Sequence, residues 1–432
     1  MIQAAKNYIR FLWRCANLAF VGDWRYYLWT GTLIALCLVG LNAYCKQFVH
    51  GLVTTNMSDQ VSWGVYISNF TFIVGVAAAA AMLVIPVYIY DNEELHDLVI
   101  FGELLAVASI LMCLAFVTVD LGRPDRFWHL IPGIGQFNFP HSMLSWDVVV
   151  LNGYLVLNVY ICGYLLYARY RGLKPTKWFY IPFVFIAIVW AISIHTVTAF
   201  LYVGLGGRHF WNSAIVGPRF LASAFTAGPA LIILALQVIR KVTAYRITDK
   251  ALLTLRGIVQ VSMLINVFLL LNEVFKEFYS KSKNVSSATY LFFGLEGHHA
   301  LVPWIWTAVI FNLIAMFLLI LPMSRSLKWL DVACVLAIVG IWIEKGMGLV
   351  VPGFIPTPLG EIVEYSPSLN ETLVCVGIWS FGFLAYTVFL RMSVPILQGR
   401  LSKATENTSM HDVVFPEEAQ TIGGGSKQTA KA

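Results

Sequence analysis

The chain has 432 residues, of which 59% are hydrophobic and only 12% are charged, and its mean hydropathy is +0.74. A soluble protein carries about 25% charged residues. This composition therefore excludes a soluble globular fold and predicts an apolar surface that faces lipid. The net charge of +6 is spread over short loops between apolar stretches, which is not the clustered basic face of a nucleic-acid-binding protein.

The elements in chain order predict an all-α integral membrane protein. Basic and apolar residues alternate over residues 1–25, which predicts an amphipathic helix lying on the membrane surface. The transmembrane domain, 26–397, contains ten apolar stretches long enough to cross a bilayer, predicted as helices at 26–47, 61–90, 95–120, 143–169, 178–205, 218–243, 252–279, 299–323, 327–350 and 370–397. The polar segment 398–432 is predicted to be a cytoplasmic, disordered tail.

Positive residues are concentrated in alternate loops, which predicts the orientation. Lys and Arg residues cluster at the N-terminus and after predicted helices 4, 6, 8 and 10, with the segment 276–283 the main exception. By the positive-inside rule, both termini then lie in the cytoplasm. The loops 121–142 and 351–369 fall outside, and their Pro, Gly and aromatic content predicts ordered caps that could dock an external partner.

The cysteines and histidines argue against a redox centre in this chain. None of the seven cysteines forms a CxxC or CxxCH spacing, and such spacings hold most iron–sulfur clusters and covalent haem. His195 is the only histidine well inside a predicted span. Ligation of haem b by two histidines is therefore not expected.

Polar residues gather toward the predicted outer leaflet. Each ionisable side chain within a span costs about 2.5–3.5 kcal/mol on insertion scales and is a functional candidate by default. The candidates are Trp63, Tyr66, Asn69, Asp120, Arg123, Asp147, Asn152, His195, Tyr202 and Arg219. Aromatic rings, a carboxylate, an arginine and a histidine that can exchange protons suit a quinone headgroup. Structural roles stay open, namely interfacial aromatics, a helix-end ion pair for Asp120 and Arg123, and an interhelical hydrogen bond for His195.

A second set of buried charges suits proton movement. Glu103 lies near the predicted cytoplasmic side, and Glu273, Glu277, Glu344 and Lys345 lie on the outer parts of their helices. Carboxylates on several helices are consistent with a proton path through Glu103, Glu273 and Glu344. Plain interhelical salt bridges would explain the same residues equally well.

Several motifs resemble the NrfD/PsrC family, the membrane subunits of polysulfide-reductase-type complexes. They are Trp63-Gly64-Val65-Tyr66, Asp120-Leu121-Gly122-Arg123-Pro124, Ser145-Trp146-Asp147 and the stretch from His195 through Trp211 to Ala224. The resemblance covers roughly residues 60–320. The start of the second helix is most similar to the membrane subunit of the Dsr transmembrane complex, and next to that of the quinone reductase complex Qrc.

The resemblance implies two four-helix bundles plus flanking helices, no haem or iron–sulfur cluster in this chain, and a menaquinone site near the outer face. It also implies a periplasmic, ferredoxin-like iron–sulfur partner. A Dsr-type assembly would add a multihaem cytochrome c, a haem b membrane subunit and a cytoplasmic iron–sulfur subunit. One departure is that the tyrosine of the family's Tyr-Thr/Ser-Gly-Phe-Leu stretch is Val197 here, so His195 or Tyr202 would have to replace it.

The function expected is a cofactor-free, quinone-reactive subunit of a respiratory complex in a prokaryotic cell membrane, serving sulfur or sulfate respiration. His195, Asp147 and Glu103 are the expected proton-handling residues. Proton translocation, the direction of electron flow and the quinone type stay open. The alternatives are a passive membrane anchor and a secondary transporter. A transporter should show inverted repeats and interrupted helices, and the sequence shows no clear pair.

Overall fold

The computed structural model describes residues 2–243, 245–280, 285–405 and 408–415. Every regular element within these ranges is helical, without a β-strand. Ten helices, two of them interrupted, are long and apolar enough to cross a membrane. The predicted all-α membrane fold with ten spans is confirmed.

The helices are numbered in chain order. The first eight are α1 (Ile2–Leu18), α2 (Trp24–His50), α3 (Val65–Ala77), α4 (Ala79–Tyr88), α5 (Val99–Asp120), α6 (Met143–Tyr170), α7 (Lys177–Val203) and α8 (Val216–Val242). The remaining seven are α9 (Asp249–Ser280), α10 (Val285–Phe292), α11 (Val302–Ile320), α12 (Leu327–Lys345), α13 (Met347–Val350), α14 (Leu369–Leu397) and α15 (Met410–Val414).

Eight spans form two four-helix bundles. In the first bundle, the α3/α4 span packs on α5, α5 on α6, α6 on α7, and α7 back on α3 and α4. In the second bundle, α8, α9, α11 and α12 close a similar ring. The bundles meet where α8 packs against α3, α4 and α7. This is the arrangement that the family resemblance implied.

The two remaining spans, α2 and α14, flank the first bundle as a tightly packed pair. They cross at Gly40 and Gly377, where a Cβ atom on Gly40 would lie only 2.5 Å from the Gly377 Cα atom. Glycine at both positions thus allows the two backbones to touch. The start of α14 is fixed by a capping box, in which Ser368 and Glu371 satisfy each other's backbone N–H groups.

The N-terminal helix α1 lies against α6, α14 and α15. Phe11 on its buried face packs against Tyr167 and Tyr170 of α6, whereas Trp13 is exposed. Of the segment 398–432, predicted to be disordered, the structure describes 398–405 and 408–415. The described part is folded: Arg14 donates a hydrogen bond of 2.9 Å to the Thr405 carbonyl, and residues 410–414 form α15. The remaining residues of that segment, and residues 281–283 of the basic exception 276–283, lie outside the described ranges.

The spans alternate in direction, so the connections fall at two ends. Of the described residues, the long-loop end carries the connections 51–64, 121–142, 204–215, 285–301 and 355–368. The short-loop end carries α1 and the connections around 89–98, 171–176, 245–248 and 321–326. The charge pattern predicts that the long-loop end faces outward, and this orientation stays a prediction.

Two spans that the sequence predicts as continuous are interrupted. The second span breaks at Ala78, whose backbone remains near-helical with φ −79° and ψ −2°. The ninth span breaks at Gly346, where ψ of −105° leaves the helical region and separates α12 from α13. Glu344 and Lys345 therefore occupy the last turn of α12 rather than the middle of a longer helix.

Candidate functional site

One face of α7 carries three buried polar side chains in the first bundle. His195, Thr198 and Tyr202 are spaced three and four residues apart, so they lie on the same side of the helix. Each is at most 1% exposed. This face points into the bundle, toward α3 and α6.

Two neighbouring helices bind this face through hydrogen bonds. The Thr198 hydroxyl donates to the Asp147 carboxylate of α6 over 3.3 Å. The Tyr202 hydroxyl shares a short hydrogen bond with the Thr71 hydroxyl of α3. These five residues, His195, Thr198, Tyr202, Asp147 and Thr71, are referred to below as the polar column. Three of them, His195, Asp147 and Tyr202, are candidates that the sequence singled out.

His195 has one ring nitrogen without a partner. Its Nδ1 atom lies 3.0 Å from the Ala191 carbonyl oxygen. Because a carbonyl oxygen only accepts hydrogen bonds, Nδ1 carries a proton, and Nε2 of the neutral ring is then an acceptor. Nε2 is buried and no described residue donates to it. The ring is therefore equipped to accept a hydrogen bond or a proton from a bound molecule.

An aromatic cluster covers the polar column at the long-loop end. Trp63 stacks on Trp211 with ring centres 5.5 Å apart, and it meets Tyr202 and Phe354 edge-on at 5.7 and 5.8 Å. Phe220 of α8 packs on Tyr202 from the side. Trp211 is anchored by a hydrogen bond of 2.8 Å from its Nε1 to the Leu349 carbonyl. The column thus ends beneath an apolar aromatic layer.

Arg219 lies elsewhere, in the second bundle. Its guanidinium donates to Glu344 over 2.7 Å and also contacts the Glu273 carboxylate. The second Glu344 oxygen accepts from the Asn312 amide over 2.5 Å. Arg219, Glu273 and Glu344 are called the charge cluster below. Glu273 and Glu344 thus both form ion pairs with Arg219, and their place on a proton path stays a prediction.

Lys345 lies between the polar column and the charge cluster. It is 5% exposed, its Nζ donates to the Phe220 carbonyl over 3.3 Å, and it sits 4.3 Å from the centre of the Phe220 ring. Because Phe220 also packs on Tyr202, it links Lys345 in the second bundle to the first bundle.

Tyr66 and Asn69 hold helices together within the first bundle and its flank. The Tyr66 hydroxyl donates to Gln47 of α2 over 2.7 Å, and Gln47 donates to the Val119 carbonyl over 2.6 Å. The Asn69 carbonyl accepts from the indoles of Trp342 and Trp379 at 3.0 and 2.9 Å. Both predicted candidates are thus satisfied by other parts of the chain.

Three other predicted residues lie apart from the polar column. Asp120, at the end of α5, has one buried oxygen without a described partner. Arg123 is exposed and pairs with Asp125 over 2.9 Å, and this hydrogen-bonded pair raises the pKa of Arg123 and lowers that of Asp125. Asn152 is exposed on α6 and donates to the Val148 carbonyl. Of the two alternatives for Asp120 and Arg123, the ion pair between them is not seen, because Arg123 pairs with Asp125, and their functional role stays a prediction.

Glu103 is buried in the first bundle, nearer the short-loop end. It is 2% exposed, and the Cys162 thiol donates to it over 3.1 Å. Its partner Cys162 lies 15 residues beyond Asp147 on α6, which corresponds to about 22 Å along the helix. Glu103 is therefore separate from the polar column, although it belongs to the same bundle.

The sequence did not single out Thr71, Gln47, Tyr365 or Glu371. The Tyr365 hydroxyl donates to the fully buried Glu371 carboxylate over 2.5 Å. Burial, together with the charge of Glu371, raises the pKa of Tyr365, so the hydroxyl stays a donor. The signal that could have found Glu371 is its place three residues after Ser368, the spacing of a capping box. Among the described residues, no group of His, Cys, Asp and Glu side chains is arranged to hold a metal ion.

Comparison with known proteins supports the resemblance. The family model described as "Polysulphide reductase, NrfD" matches residues 53–355. A putative membrane subunit of dimethyl sulfoxide reductase from Halobacterium salinarum is 26% identical over 84% of this chain and 90% of its own length. The "Hdr-like menaquinol oxidoreductase integral membrane subunit" of Archaeoglobus fulgidus is 22% identical over 87% of this chain and 94% of its own length. A selenate reductase subunit from Mesobacillus selenatarsenatis is 22% identical over 90% of this chain and 98% of its own length.

These relatives match the chain over most of their own lengths, and the family match spans both four-helix bundles. It includes the aromatic cluster, the polar column and all of the charge cluster. The chain therefore belongs to the NrfD family and is a multi-pass protein of a prokaryotic cell membrane.

Proposed function

We propose that this chain is the quinone-binding membrane subunit of a respiratory oxidoreductase complex, and that it exchanges electrons between menaquinone and an iron–sulfur partner. Its family membership and the name of a relative, a menaquinol oxidoreductase membrane subunit, support this proposal. The partner would supply the redox centres. The chain itself would bind the quinone and handle its protons.

The unpartnered Nε2 of His195 is the observation that carries the proposal. A buried acceptor without a partner costs about 1–3 kcal/mol relative to a satisfied one. The atom lies in a polar column that is otherwise connected by hydrogen bonds and is covered by aromatic rings. A quinol hydroxyl would donate a hydrogen bond to this acceptor. The side chains of the aromatic cluster would supply the apolar walls that the quinol ring requires.

The polar column can also take up one of the two protons that quinol oxidation releases. When bound, menaquinol would supply two electrons to the iron–sulfur partner and two protons, of which the second would leave at the long-loop end. His195 would accept a proton at Nε2, while its Nδ1–H stays bonded to the Ala191 carbonyl. Asp147 of α6 accepts a hydrogen bond from Thr198, which lies on the same face of α7 as His195. The Asp147 carboxylate would stabilise the imidazolium electrostatically. Tyr202 and Thr71 would keep α7 and α3 in register.

Proton transfer across the membrane is a further part of the proposal, and Glu103 is its candidate entry residue. It is a buried carboxyl group whose described side-chain partner is the weak donor Cys162. Glu273 and Glu344 are both paired with Arg219. We therefore assign the entry role to Glu103 and leave Glu273 and Glu344 as members of the charge cluster.

The iron–sulfur partner would dock at the long-loop end, on the segments 121–142 and 355–368. The aromatic cluster lies beneath this end, so electron transfer between partner and quinone would cross a short distance. In an assembly of the Dsr type, a multihaem cytochrome c, a haem b subunit and a cytoplasmic iron–sulfur subunit would complete the electron route in sulfur or sulfate respiration.

The test measures binding to the purified complex through the fluorescence quenching of a menaquinol analogue. His195→Leu should weaken binding about tenfold or more, because the side-chain acceptor of the buried hydrogen bond to the ligand is lost. Asn152→Ala is the matched control, since its side chain is exposed on the neighbouring helix. The polypeptide composition and the thermal stability of each purified variant show whether the complex is assembled.

Equal affinity in His195→Leu and wild type would remove the polar column from the quinone site. Absence of binding in the assembled wild-type complex would favour a passive membrane anchor.

A secondary transporter is the other alternative, and the break at Gly346 is the observation that favours it. Transporters place broken helices at their binding sites. The corresponding break at Ala78 keeps near-helical dihedral angles, so the pair of broken helices that a transporter needs is incomplete. Solute uptake into sealed vesicles that contain only this protein would establish transport.

A further inference from the structure

The short-loop end of the first bundle carries three exposed cations that lack acidic partners. Arg171 and Lys174 lie in the connection from α6 to α7, and Lys177 begins α7. Residues 148–248 contain no Asp or Glu, and no described carboxylate pairs with any of the three. Other cations of this end form ion pairs with acidic residues, namely Arg169, Arg240 and Lys250. The three unpaired cations are called the basic corner below.

Exposed aromatic side chains adjoin the basic corner. Trp178, the residue after Lys177, is 80% exposed, and Phe179 is 55% exposed. Tryptophan is enriched at the depth of the lipid headgroups, where one part of the indole contacts apolar chains and its N–H group contacts water or headgroups. The basic corner therefore lies at the depth of the phosphate groups of a bilayer.

The seam between α6 and α7 continues from the basic corner into the membrane as an apolar surface. Tyr160 of α6 packs on Phe183 of α7 with ring centres 4.7 Å apart, and its hydroxyl donates to the Phe179 carbonyl over 2.9 Å. Val159 and Ile186 lie beside these rings along the two helices, and both are exposed. Cations at the interface and apolar side chains deeper along the same helices are complementary to a phospholipid with a negative headgroup.

Helix α1 brings a further positive charge and another apolar face to this region. The ring of Tyr167 on α6 meets Tyr8 of α1 edge-on at 5.1 Å, and the Arg171 guanidinium lies 5.9 Å from the centre of the same ring. Because one ring contacts both, Arg171 lies close to α1. Lys6, two residues before Tyr8, is exposed, and so is Trp13. The basic corner and α1 thus meet the same part of the membrane surface.

We propose that the basic corner binds an acidic phospholipid, with the phosphate group against Lys174 and Lys177 and the acyl chains along the seam between α6 and α7. Each Lys or Arg near an anionic membrane surface adds to the attraction. A zwitterionic phospholipid carries an ammonium group of its own, which the cations repel, so it binds more weakly. The site lies on the lipid-facing side of the first bundle and does not depend on the proposed quinone site.

The test measures the affinity of the purified complex in detergent for phosphatidylglycerol with brominated acyl chains, through the quenching of tryptophan fluorescence. Brominated phosphatidylcholine is the reference without net charge. One variant combines Arg171→Gln, Lys174→Gln and Lys177→Gln and removes the basic corner. Trp178→Phe removes the nearest reporter. The matched control replaces with Gln three exposed cations at the same end of the second bundle, namely Arg246, Arg325 and Lys328.

Wild type should bind phosphatidylglycerol about tenfold or more tightly than phosphatidylcholine, and high salt should reduce this preference because it screens exposed charges. The variant without the basic corner should lose the preference, whereas the matched control should keep it. Trp178→Phe should reduce the quenching by phosphatidylglycerol.

The proposal is overturned if wild type binds both lipids equally, if the variant without the basic corner keeps the preference, or if Trp178→Phe is quenched as strongly as wild type. Displacement of the lipid by inorganic phosphate at comparable concentration would show a site for free anions and would also overturn it. If the triple variant fails to assemble, the double variant Lys174→Gln with Lys177→Gln decides, because Arg171 keeps its contact with Tyr167 there.

Discussion

The Thr198 hydroxyl on α7 donates a hydrogen bond of 3.3 Å to the Asp147 carboxylate on α6. Both residues are buried, and Thr198 also donates to the Ile194 carbonyl one turn back on its own helix. A single hydroxyl shared in this way places the carboxylate beside the face of α7 that carries His195. The position of Asp147 therefore depends on a side chain that has no charge of its own.

Replacing Thr198 with valine keeps its shape and removes this donor. We expect Thr198→Val to lower menaquinol oxidation by the complex more than it lowers stability, because interhelical hydrogen bonds in membranes contribute only about 0.6 kcal/mol on average. Turnover and the melting temperature of the purified complex are compared. Thr198→Ser keeps the hydroxyl and is the control, and equal turnover in Val and Ser variants would contradict the positioning role.

Arg219 neutralises two buried carboxylates, so its loss should be costly. We expect Arg219→Met to destabilise the complex by about 3–5 kcal/mol, because Glu273 and Glu344 would be left as uncompensated charges. Adding Glu273→Gln and Glu344→Gln to the same variant should restore most of the stability. The measurement is thermal unfolding in detergent. A triple variant as unstable as Arg219→Met would show that the ion pairs are not the cause.

The contact of Gly40 with Gly377 predicts a steric limit on the flanking helices. Gly40→Val should separate α2 from α14 and cost about 1–3 kcal/mol, as overpacking does elsewhere. Gly31→Ala on the same helix is the control, because nothing lies within 4 Å of its Cβ position. Thermal unfolding of the two variants should differ clearly, and equal melting temperatures would contradict the close crossing.

The predicted orientation can be tested with single cysteines at exposed positions of the two ends. Ser366→Cys lies at the long-loop end and Lys174→Cys at the short-loop end. If the positive-inside rule holds, a membrane-impermeant maleimide added to intact cells should label only the first. Labelling of both after permeabilisation shows that each cysteine is accessible. The opposite result would invert the proposed docking side.

Hydrophobic length and charge were sufficient to predict the ten spans, because each span must bury about 20 apolar residues in lipid. The break at Gly346 was not predicted, because a single glycine within a span is compatible with a continuous helix. At the site, helical spacing predicts that His195, Thr198 and Tyr202 share a face. The pairing of Arg219 with Glu273 and Glu344 depends on how three distant helices pack, which no local pattern encodes.

Competition between partners decided several of the other assignments. An ion pair of Arg123 with Asp120 was one of two alternatives, yet Asp125 lies two residues away and pairs with Arg123. Asn69 is a predicted quinone ligand, and two indoles from α12 and α14 donate to its oxygen, so its role as a ligand stays a prediction. In both cases the sequence offers several polar partners and does not decide among them.

Helix α8 belongs to the walls of both bundles, and Phe220 lies on it at the level of Lys345. The lysine is held by the carbonyl and ring of Phe220, and the same ring packs on Tyr202 of the first bundle. A rotation of α8 would therefore disturb the lysine of one bundle and the aromatic wall of the other together, so the two bundles share one mechanical element.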